Sequence, residues 1–279
     1  VKESPEMSSS RSKVIVPHLV ERKNASEVLT MVTAYDSIFA SIVDEAGVDL
    51  ILVGDSVATV MQGQKTTLGV SMDHMEYHVQ MVASAKPKAL IVGDMPFGSY
   101  QASAQDAVNN AVRLIKAGAE IVKLEGGVHV REAIEAIVRA DIPVMGHIGL
   151  TPQSYHRMGG NKVQGRKEGA QFGSRDRIVA DARAVEEAGV CAFVIEAVPA
   201  ALATEITTAS KIPTIGIGAG VNCDGQVLVM HDLLGLSERS FTFAKAYSNL
   251  RQISLNAVAE YVSDVQSRRF PDASNSFTY

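Results

Sequence analysis

Charged and hydroxyl side chains follow six short apolar runs of the sequence, where they could support acid–base and metal chemistry. In chain order they are Asp36, Asp55 with Ser56, Asp94, Lys123 with Glu125, His147 and Glu196. A single Asp at such a position is more often a helix cap or part of a salt bridge. Because charge at one end of an apolar core is costly without a purpose, six such positions together favour a functional site.

The carboxylates of this set predict a site for a hard divalent cation. Asp55 and Asp94 are oxygen donors that follow neighbouring apolar runs, and Glu125 is a third carboxylate. Three carboxylates converging on one small site would repel each other without a cation. Few protein ligands, waters and a chelating substrate suit Mg²⁺, and the sequence has no Cys/His cluster of the kind that binds zinc.

The remaining charged residues predict proton abstraction. Lys123 could neutralise an anionic substrate or a developing enolate oxygen. Glu196 follows the apolar run 191–195, apart from the proposed metal ligands, and is therefore the candidate general base. Removal of a proton next to a metal-bound carbonyl is the reaction class that uses all these groups.

The elements that must position these residues are short buried strands alternating with helices. Apolar runs rich in branched residues predict strands that are buried on both faces. They lie at 28–33, 48–54, 89–93, 121–125, 143–147, 191–196, 213–217 and 227–230. This rhythm predicts a parallel (β/α)8 barrel, with an open doubly wound sheet as the alternative. The segment 218–226, between the seventh and eighth predicted strands, is too short for a full helix. This connection is therefore the weakest part of the strand assignment.

The helices and the domain boundaries follow from the same pattern. We expect a short N-terminal helix at 16–23 and later helices at 37–46, 74–85, 104–116, 130–140, 178–188, 202–210 and 248–266. The glycine-rich segment 148–175 predicts a long loop that is either functional or disordered. We therefore expect a disordered polar tail at 1–15, one barrel domain at 16–270 and a C-terminal tail at 271–279.

Composition excludes several classes of protein. The 279 residues carry a formal net charge of −5, so general affinity for nucleic acid is not expected. The sequence has no apolar stretch of about 18 residues that could span a membrane, and no signal-peptide core near residue 1. Cys191 and Cys223 are the two cysteines and form no metal-binding motif. These features predict a cytoplasmic protein with reduced thiols.

Nine longer motifs occur in a fixed order along the chain, at 33–36, 53–56, 93–97, 122–127, 146–153, 162–166, 196–199, 215–220 and 230–232. Together these motifs resemble the ketopantoate (3-methyl-2-oxobutanoate) hydroxymethyltransferase family. The resemblance extends over about residues 16–270. It implies a TIM barrel of the phosphoenolpyruvate/pyruvate-binding type and the first step toward pantothenate.

The resemblance also implies site residues, cofactors and partners. The Mg²⁺ ligands would be Asp55, Asp94 and Glu125, and Glu196 would be the proton acceptor. The substrate 3-methyl-2-oxobutanoate would contact Asp55, Ser56, Asp94 and Lys123. The one-carbon donor would be 5,10-methylenetetrahydrofolate. The protein would form a homo-oligomer, the decamer that is known for the family.

Two alternatives use the same residues differently. A Mg²⁺-dependent 2-oxo acid lyase or mutase would share the metal and the enolate, but it should carry a Cys or similar acid on a mobile loop. The segments 126–127 and 149–173 contain no Cys. A non-catalytic binder of metal and keto acid would not need Glu196.

Overall fold

The computed structural model of the protein describes residues 11–169, 171–237 and 241–277. Eight parallel strands form a closed barrel in which each strand pairs with its neighbours in sequence and the last pairs with the first. The strands are β1 Leu29–Thr33, β2 Leu50–Val53, β3 Leu90–Asp94, β4 Ile121–Lys123, β5 Val144–Gly149, β6 Ala192–Glu196, β7 Thr214–Ile217 and β8 Gly225–Leu228. The predicted barrel is confirmed, and the open sheet is excluded.

Helices alternate with the strands along the described chain, and two more follow the last strand. They are α1 Val16–Asn24, α2 Ser37–Glu45, α3 Val57–Val60, α4 Met72–Ser84, α5 Ala104–Ala117, α6 Arg131–Arg139, α7 Tyr155–Met158, α8 Arg175–Glu187, α9 Ala200–Ala209, α10 Met230–Leu233 and α11 Leu250–Gln266. Over the described stretches, no helix is both long and apolar enough to cross a membrane.

Burial explains why the strands have continuous apolar sequences. Every residue of β2, β3, β4 and β5 is buried, because side chains on one face fill the barrel and those on the other face meet the helices. β1 and β8 each have one exposed residue, Thr30 and Gln226. These two strands therefore have the more polar sequences of the sheet.

Several predicted boundaries were wrong. The eighth strand begins at Gly225, two residues before the predicted 227–230, and Met230 starts α10. The helix predicted at 178–188 begins at Arg175, and the one predicted at 74–85 begins at Met72. Part of the predicted loop 148–175 is regular, since β5 continues to Gly149 and α7 lies within the segment.

The chain divides into two compact units, residues 1–229 and residues 230–279, each of which has most of its contacts within itself. The first unit contains the whole barrel, and the second contains α10 and α11. The predicted boundaries after residues 15 and 270 do not coincide with this division and stay predictions. Most of the predicted tail at 1–15 lies outside the described residues.

The segment around α1 closes the amino-terminal end of the barrel. Val14 and Leu19 are buried in the same apolar cluster as Leu29 and Leu50, the first residues of β1 and β2. The backbone N–H of Val14 also donates to the carbonyl of Lys88 at 2.8 Å. This end of the barrel is therefore filled by side chains.

A buried carboxylate fastens this segment to the strands. Asp49 Oδ1 lies 2.7 Å from Arg22 and 3.2 Å from Arg11, and its Oδ2 accepts hydrogen bonds from the backbone N–H and the hydroxyl of Thr30. Charge-assisted hydrogen bonds of this kind are stronger than neutral ones, particularly at a site that is largely shielded from water.

An Asp49→Ala variant is expected to lower the free energy of unfolding by about 2–3 kcal/mol, because two arginines and Thr30 lose their charged partner. Urea denaturation followed by circular dichroism would measure the change. Asp73→Ala is the matched control, since its ion pair with Arg113 is largely exposed and should contribute less. Equal shifts for the two variants would contradict the anchoring role of Asp49.

Candidate active site

Side chains from five neighbouring strands meet at the carboxyl end of the barrel. Asp94, Lys123 and Glu196 are the last residues of β3, β4 and β6, and His147 lies within β5. Asp55 follows β2 by two residues. In the register of the sheet, Asp94 stands directly opposite Lys123. Since parallel strands bring their carboxyl ends to one edge, the sequence prediction that these groups lie together holds for this set.

An ion pair lies at the centre of the cluster. Lys123 Nζ is 2.8 Å from Asp94 Oδ1, and both side chains are buried. Burial lowers the pKa of Lys123, but the charges of Asp94, Glu125 and Asp55 outweigh it and raise the pKa on balance. Lys123 is therefore a cation at all physiological pH values.

Asp55 shares the buried space with Asp94. The backbone N–H of Asp55 donates to Asp94 Oδ2 at 3.1 Å. Burial, followed by repulsion from Asp94 and Glu125, raises the pKa of Asp55 well above its usual value. Burial is also the main cause of the raised pKa of Asp94. The two carboxylates thus lack enough positive charge around them to ionise freely.

His147 lies between two further carboxylates. Its Nδ1 is 3.5 Å from Glu125 Oε1, and its Nε2 is 3.2 Å from Glu196 Oε2. Burial and Lys123 lower the pKa of His147, but its interactions with Glu125 and Glu196 prevail and raise the pKa to about 9. At neutral pH the ring is therefore protonated, and its positive charge lies between the two carboxylates.

The two carboxylates that flank His147 differ in access to solvent. The side chain of Glu196 is 15% exposed, whereas that of Glu125 is 2% exposed. Burial raises the pKa of Glu125, but the hydrogen bond and charge of His147, with Lys123, lower it on balance. Glu125 is thus a buried anion, and Glu196 stands nearer the opening.

Ser56 lies next to the cluster, whereas Asp36 caps a helix. The Ser56 hydroxyl lies 2.8 Å from the hydroxyl of buried Tyr35, and Ser56 itself precedes α3, directly after Asp55. Asp36 instead caps α2, where its Oδ1 accepts a hydrogen bond from the backbone N–H of Phe39. The general expectation that one such Asp is a helix cap thus applies to Asp36.

Two uncharged residues that sequence reasoning missed complete the cluster. Gln153 Nε2 donates to Asp55 Oδ2 at 3.0 Å, and the Tyr100 hydroxyl lies 2.7 Å from Gln153 Oε1. Gln153 belongs to the motif 146–153, but an amide after a proline carries no charge pattern of its own. The only signal in the sequence was indirect, because a buried carboxylate such as Asp55 needs a hydrogen-bond donor from another part of the chain.

The donor chemistry of the cluster fits a divalent cation. Four carboxylates, those of Asp55, Asp94, Glu125 and Glu196, face two cations, Lys123 and protonated His147. Among the described residues, no group of three His, Cys, Asp or Glu side chains is arranged to hold a metal ion. Mg²⁺ keeps several waters and uses one or two carboxylates, so the adjacent pair Asp55 and Asp94 suits it.

Comparison with known proteins decides the family. The sequence profile of ketopantoate hydroxymethyltransferase matches residues 13–273. The chain belongs to the ketopantoate hydroxymethyltransferase family. The family and enzyme class predicted from the motifs are therefore confirmed, and with them a place in pantothenate biosynthesis.

Named relatives of the ketopantoate hydroxymethyltransferase family cover almost the whole chain. The 3-methyl-2-oxobutanoate hydroxymethyltransferase of Pelobacter propionicus is 52% identical over 97% of this chain and 100% of its own length. That of Geobacter sulfurreducens is 54% identical over 96% of this chain and 100% of its own length. The similarity thus includes every strand of the barrel.

Solved structures with other activities share the barrel fold of this ketopantoate hydroxymethyltransferase family member. A phosphonopyruvate hydrolase matches with a TM-score of 0.61 at 14% identity, over 95% of this chain and 92% of its own. A 2,3-dimethylmalate lyase, described as a member of the phosphoenolpyruvate mutase/isocitrate lyase superfamily, matches with a TM-score of 0.56 at 14% identity, over 94% and 90% of the two chains. At such identities the likeness concerns the fold alone.

Proposed function

We propose that the polar cluster at the carboxyl end of the barrel transfers a hydroxymethyl group to 3-methyl-2-oxobutanoate by way of an enolate. The observation that carries this proposal is the arrangement of its carboxylates. Glu196 stands nearer the opening and contacts His147, while Asp55, Asp94 and Glu125 are buried beneath. One base is thus within reach of a substrate that the deeper groups would hold.

Asp55 and Asp94 would hold Mg²⁺, with Glu125 next to them. When bound, the ion would polarise the 2-oxo group and make the proton on C3 more acidic. Lys123 adds a fixed positive charge beside Asp94, where it can stabilise the enolate oxygen. Ser56 follows Asp55 directly, so its hydroxyl or backbone N–H is placed to hold the substrate carboxylate.

Glu196 removes the proton from C3 of the substrate. The electron pair of that C–H bond forms the C2=C3 double bond of the enolate. His147 keeps the Glu196 carboxylate in place through the 3.2 Å contact at Nε2. Water breaks the two C–N bonds of the methylene carbon of 5,10-methylenetetrahydrofolate, which frees tetrahydrofolate and leaves that carbon as formaldehyde. The enolate carbon then attacks the formaldehyde carbon, and the formaldehyde oxygen takes up a proton to become the new hydroxyl. One water is consumed, and 2-dehydropantoate and tetrahydrofolate leave.

Exchange of the C3 proton tests this proposal directly. The protein, with Mg²⁺ and without folate, should exchange the C3 hydrogen of 3-methyl-2-oxobutanoate for deuterium in D₂O, as followed by proton NMR. Absence of exchange would refute the proposed enolisation. With 5,10-methylenetetrahydrofolate present, 2-dehydropantoate should form; exchange without that product would favour a lyase or mutase instead. The folate donor and the decamer remain predictions from the resemblance, and the cytoplasmic location remains a prediction from composition.

An Asp55→Asn variant is expected to weaken Mg²⁺ binding by more than about 100-fold, because a ligand should contribute more than the outer-shell partners, whose loss lowers affinity 10- to 100-fold. Isothermal titration calorimetry with Mg²⁺ and the keto acid would measure the affinity. Asp36→Ser is the matched control, since it removes an acid at another strand end and keeps a helix cap. Unchanged metal dependence in Asp55→Asn would refute the ligand assignment.

A further inference from the structure

We propose that Gln153 is a positioning residue, which fixes the carboxylates of Asp55 and Glu125 for metal binding. This inference rests on the proposed function, because it assumes that Asp55 binds Mg²⁺. Gln153 is buried and lies in the short 3-10 turn Pro152–Ser154 that follows β5. It reaches the carboxylates from the loop, whereas Asp55 and Glu125 come from the strand ends.

The side-chain amide of Gln153 uses both of its polar atoms. Nε2 donates to Asp55 Oδ2 and to the carbonyl of Met95, each at 3.0 Å. Oε1 lies 2.7 Å from the Tyr100 hydroxyl and 3.2 Å from Gln101 Nε2. Because these contacts define which end of the amide faces Asp55, the group presents a donor to the carboxylate and not an acceptor.

The backbone of Gln153 reaches the second carboxylate. Its N–H donates to Glu125 Oε2 at 2.9 Å. Tyr100 links the two contacts, since its hydroxyl accepts from the backbone N–H of Glu125 at 3.0 Å and can donate to Gln153 Oε1. Gln153, Tyr100 and Glu125 thus form a closed ring of hydrogen bonds that extends to Asp55.

This ring has a defined consequence for metal binding. Nε2 of Gln153 fixes Oδ2 of Asp55, so Oδ1 is the oxygen that this contact leaves for a cation. A ligand that is already held in one orientation binds metal with less reorganisation.

Gln153→Met tests the proposal, because methionine has a similar length and no amide. The dissociation constant for Mg²⁺, measured by calorimetry without substrate, should rise roughly 10- to 100-fold, as for other outer-shell partners. The rate of C3 exchange at saturating Mg²⁺ should return to within a few-fold of wild type. An unchanged dissociation constant in folded Gln153→Met protein would overturn the proposal, and so would an exchange rate that stays low at saturating Mg²⁺.

Gln101→Met is the matched control, since the exposed Gln101 contacts Gln153 Oε1 and does not contact Asp55. It should bind Mg²⁺ with nearly wild-type affinity; an equal loss would show a general effect of the loop and overturn the proposal. Tyr100→Phe keeps Gln153 and removes the hydroxyl that orients its amide. It should weaken Mg²⁺ binding less than Gln153→Met does, and it provides the test if that variant does not fold.

The same titrations separate this inference from the proposed function. If the wild-type protein bound no Mg²⁺, the metal assignment itself would fail. If the wild type bound Mg²⁺ and folded Gln153→Met bound it with the same affinity, only the positioning role would fail. If Gln153→Met did not fold, wild-type Mg²⁺ affinity in Tyr100→Phe would have the same meaning.

Discussion

Replacement of Glu196 by Gln is expected to reduce C3 exchange of 3-methyl-2-oxobutanoate about 10²- to 10⁴-fold, the usual contribution of a general base. The amide has nearly the shape of the carboxylate but cannot accept the C3 proton. Proton NMR in D₂O, with Mg²⁺ and without folate, would measure the rate.

Binding should separate this effect from damage to the site. Glu196 lies on the far side of His147 from Glu125, so the Mg²⁺-dependent affinity for the keto acid should stay largely intact in Glu196→Gln. Glu205→Gln is the matched control, because Glu205 is an exposed glutamate paired with Arg175. Exchange near the wild-type rate in Glu196→Gln would reject Glu196 as the base.

Loss of the buried cation should have the largest effect on stability. Lys123→Met is expected to lower the free energy of unfolding by about 3–5 kcal/mol, the range for removing one partner of a buried ion pair. The cause is Asp94, which would remain buried beside Asp55 and Glu125 without the 2.8 Å contact to Nζ. Urea denaturation without Mg²⁺ would measure the change.

A second substitution checks this cause. Lys123→Met combined with Asp94→Asn removes both charges and should recover part of the lost stability, giving a coupling energy in a double-mutant cycle. Lys13→Met is a control at a half-exposed pair with Glu120 and should shift the denaturation midpoint less. Additive losses in the double variant would contradict the ion pair as the source of the effect.

The sequence predicted the convergence of the charged residues because the rule behind it is simple. Once the apolar runs are taken as parallel strands, the residues directly after each strand must lie at the same end of the barrel. Asp94 and Lys123 on adjacent strands, and Glu196 two strands further, needed no other information. The mutual distances and the burial of each group depend on side-chain packing, which the pattern does not contain.

Two errors have a physical explanation. The eighth strand was misplaced because 227–230 is an apolar run, whereas pairing begins at Gly225, where a Cβ atom would clash with the Leu29 carbonyl. That close approach is visible only in three dimensions. Gln153 was missed because its partners Asp55 and Met95 come from other loops, 98 and 58 residues away in sequence.

The closure of the amino-terminal end by Val14, Leu19 and Asp49 divides the barrel into two ends that can be altered separately. The groups of the candidate active site cluster at the opposite edge, beyond the strands, so substitutions at the closed end do not touch them. Engineering for heat tolerance should therefore begin with the ion pairs of Lys13 and Lys23 at that end. Stronger ion pairs at the amino-terminal end should raise the melting temperature and leave turnover unchanged.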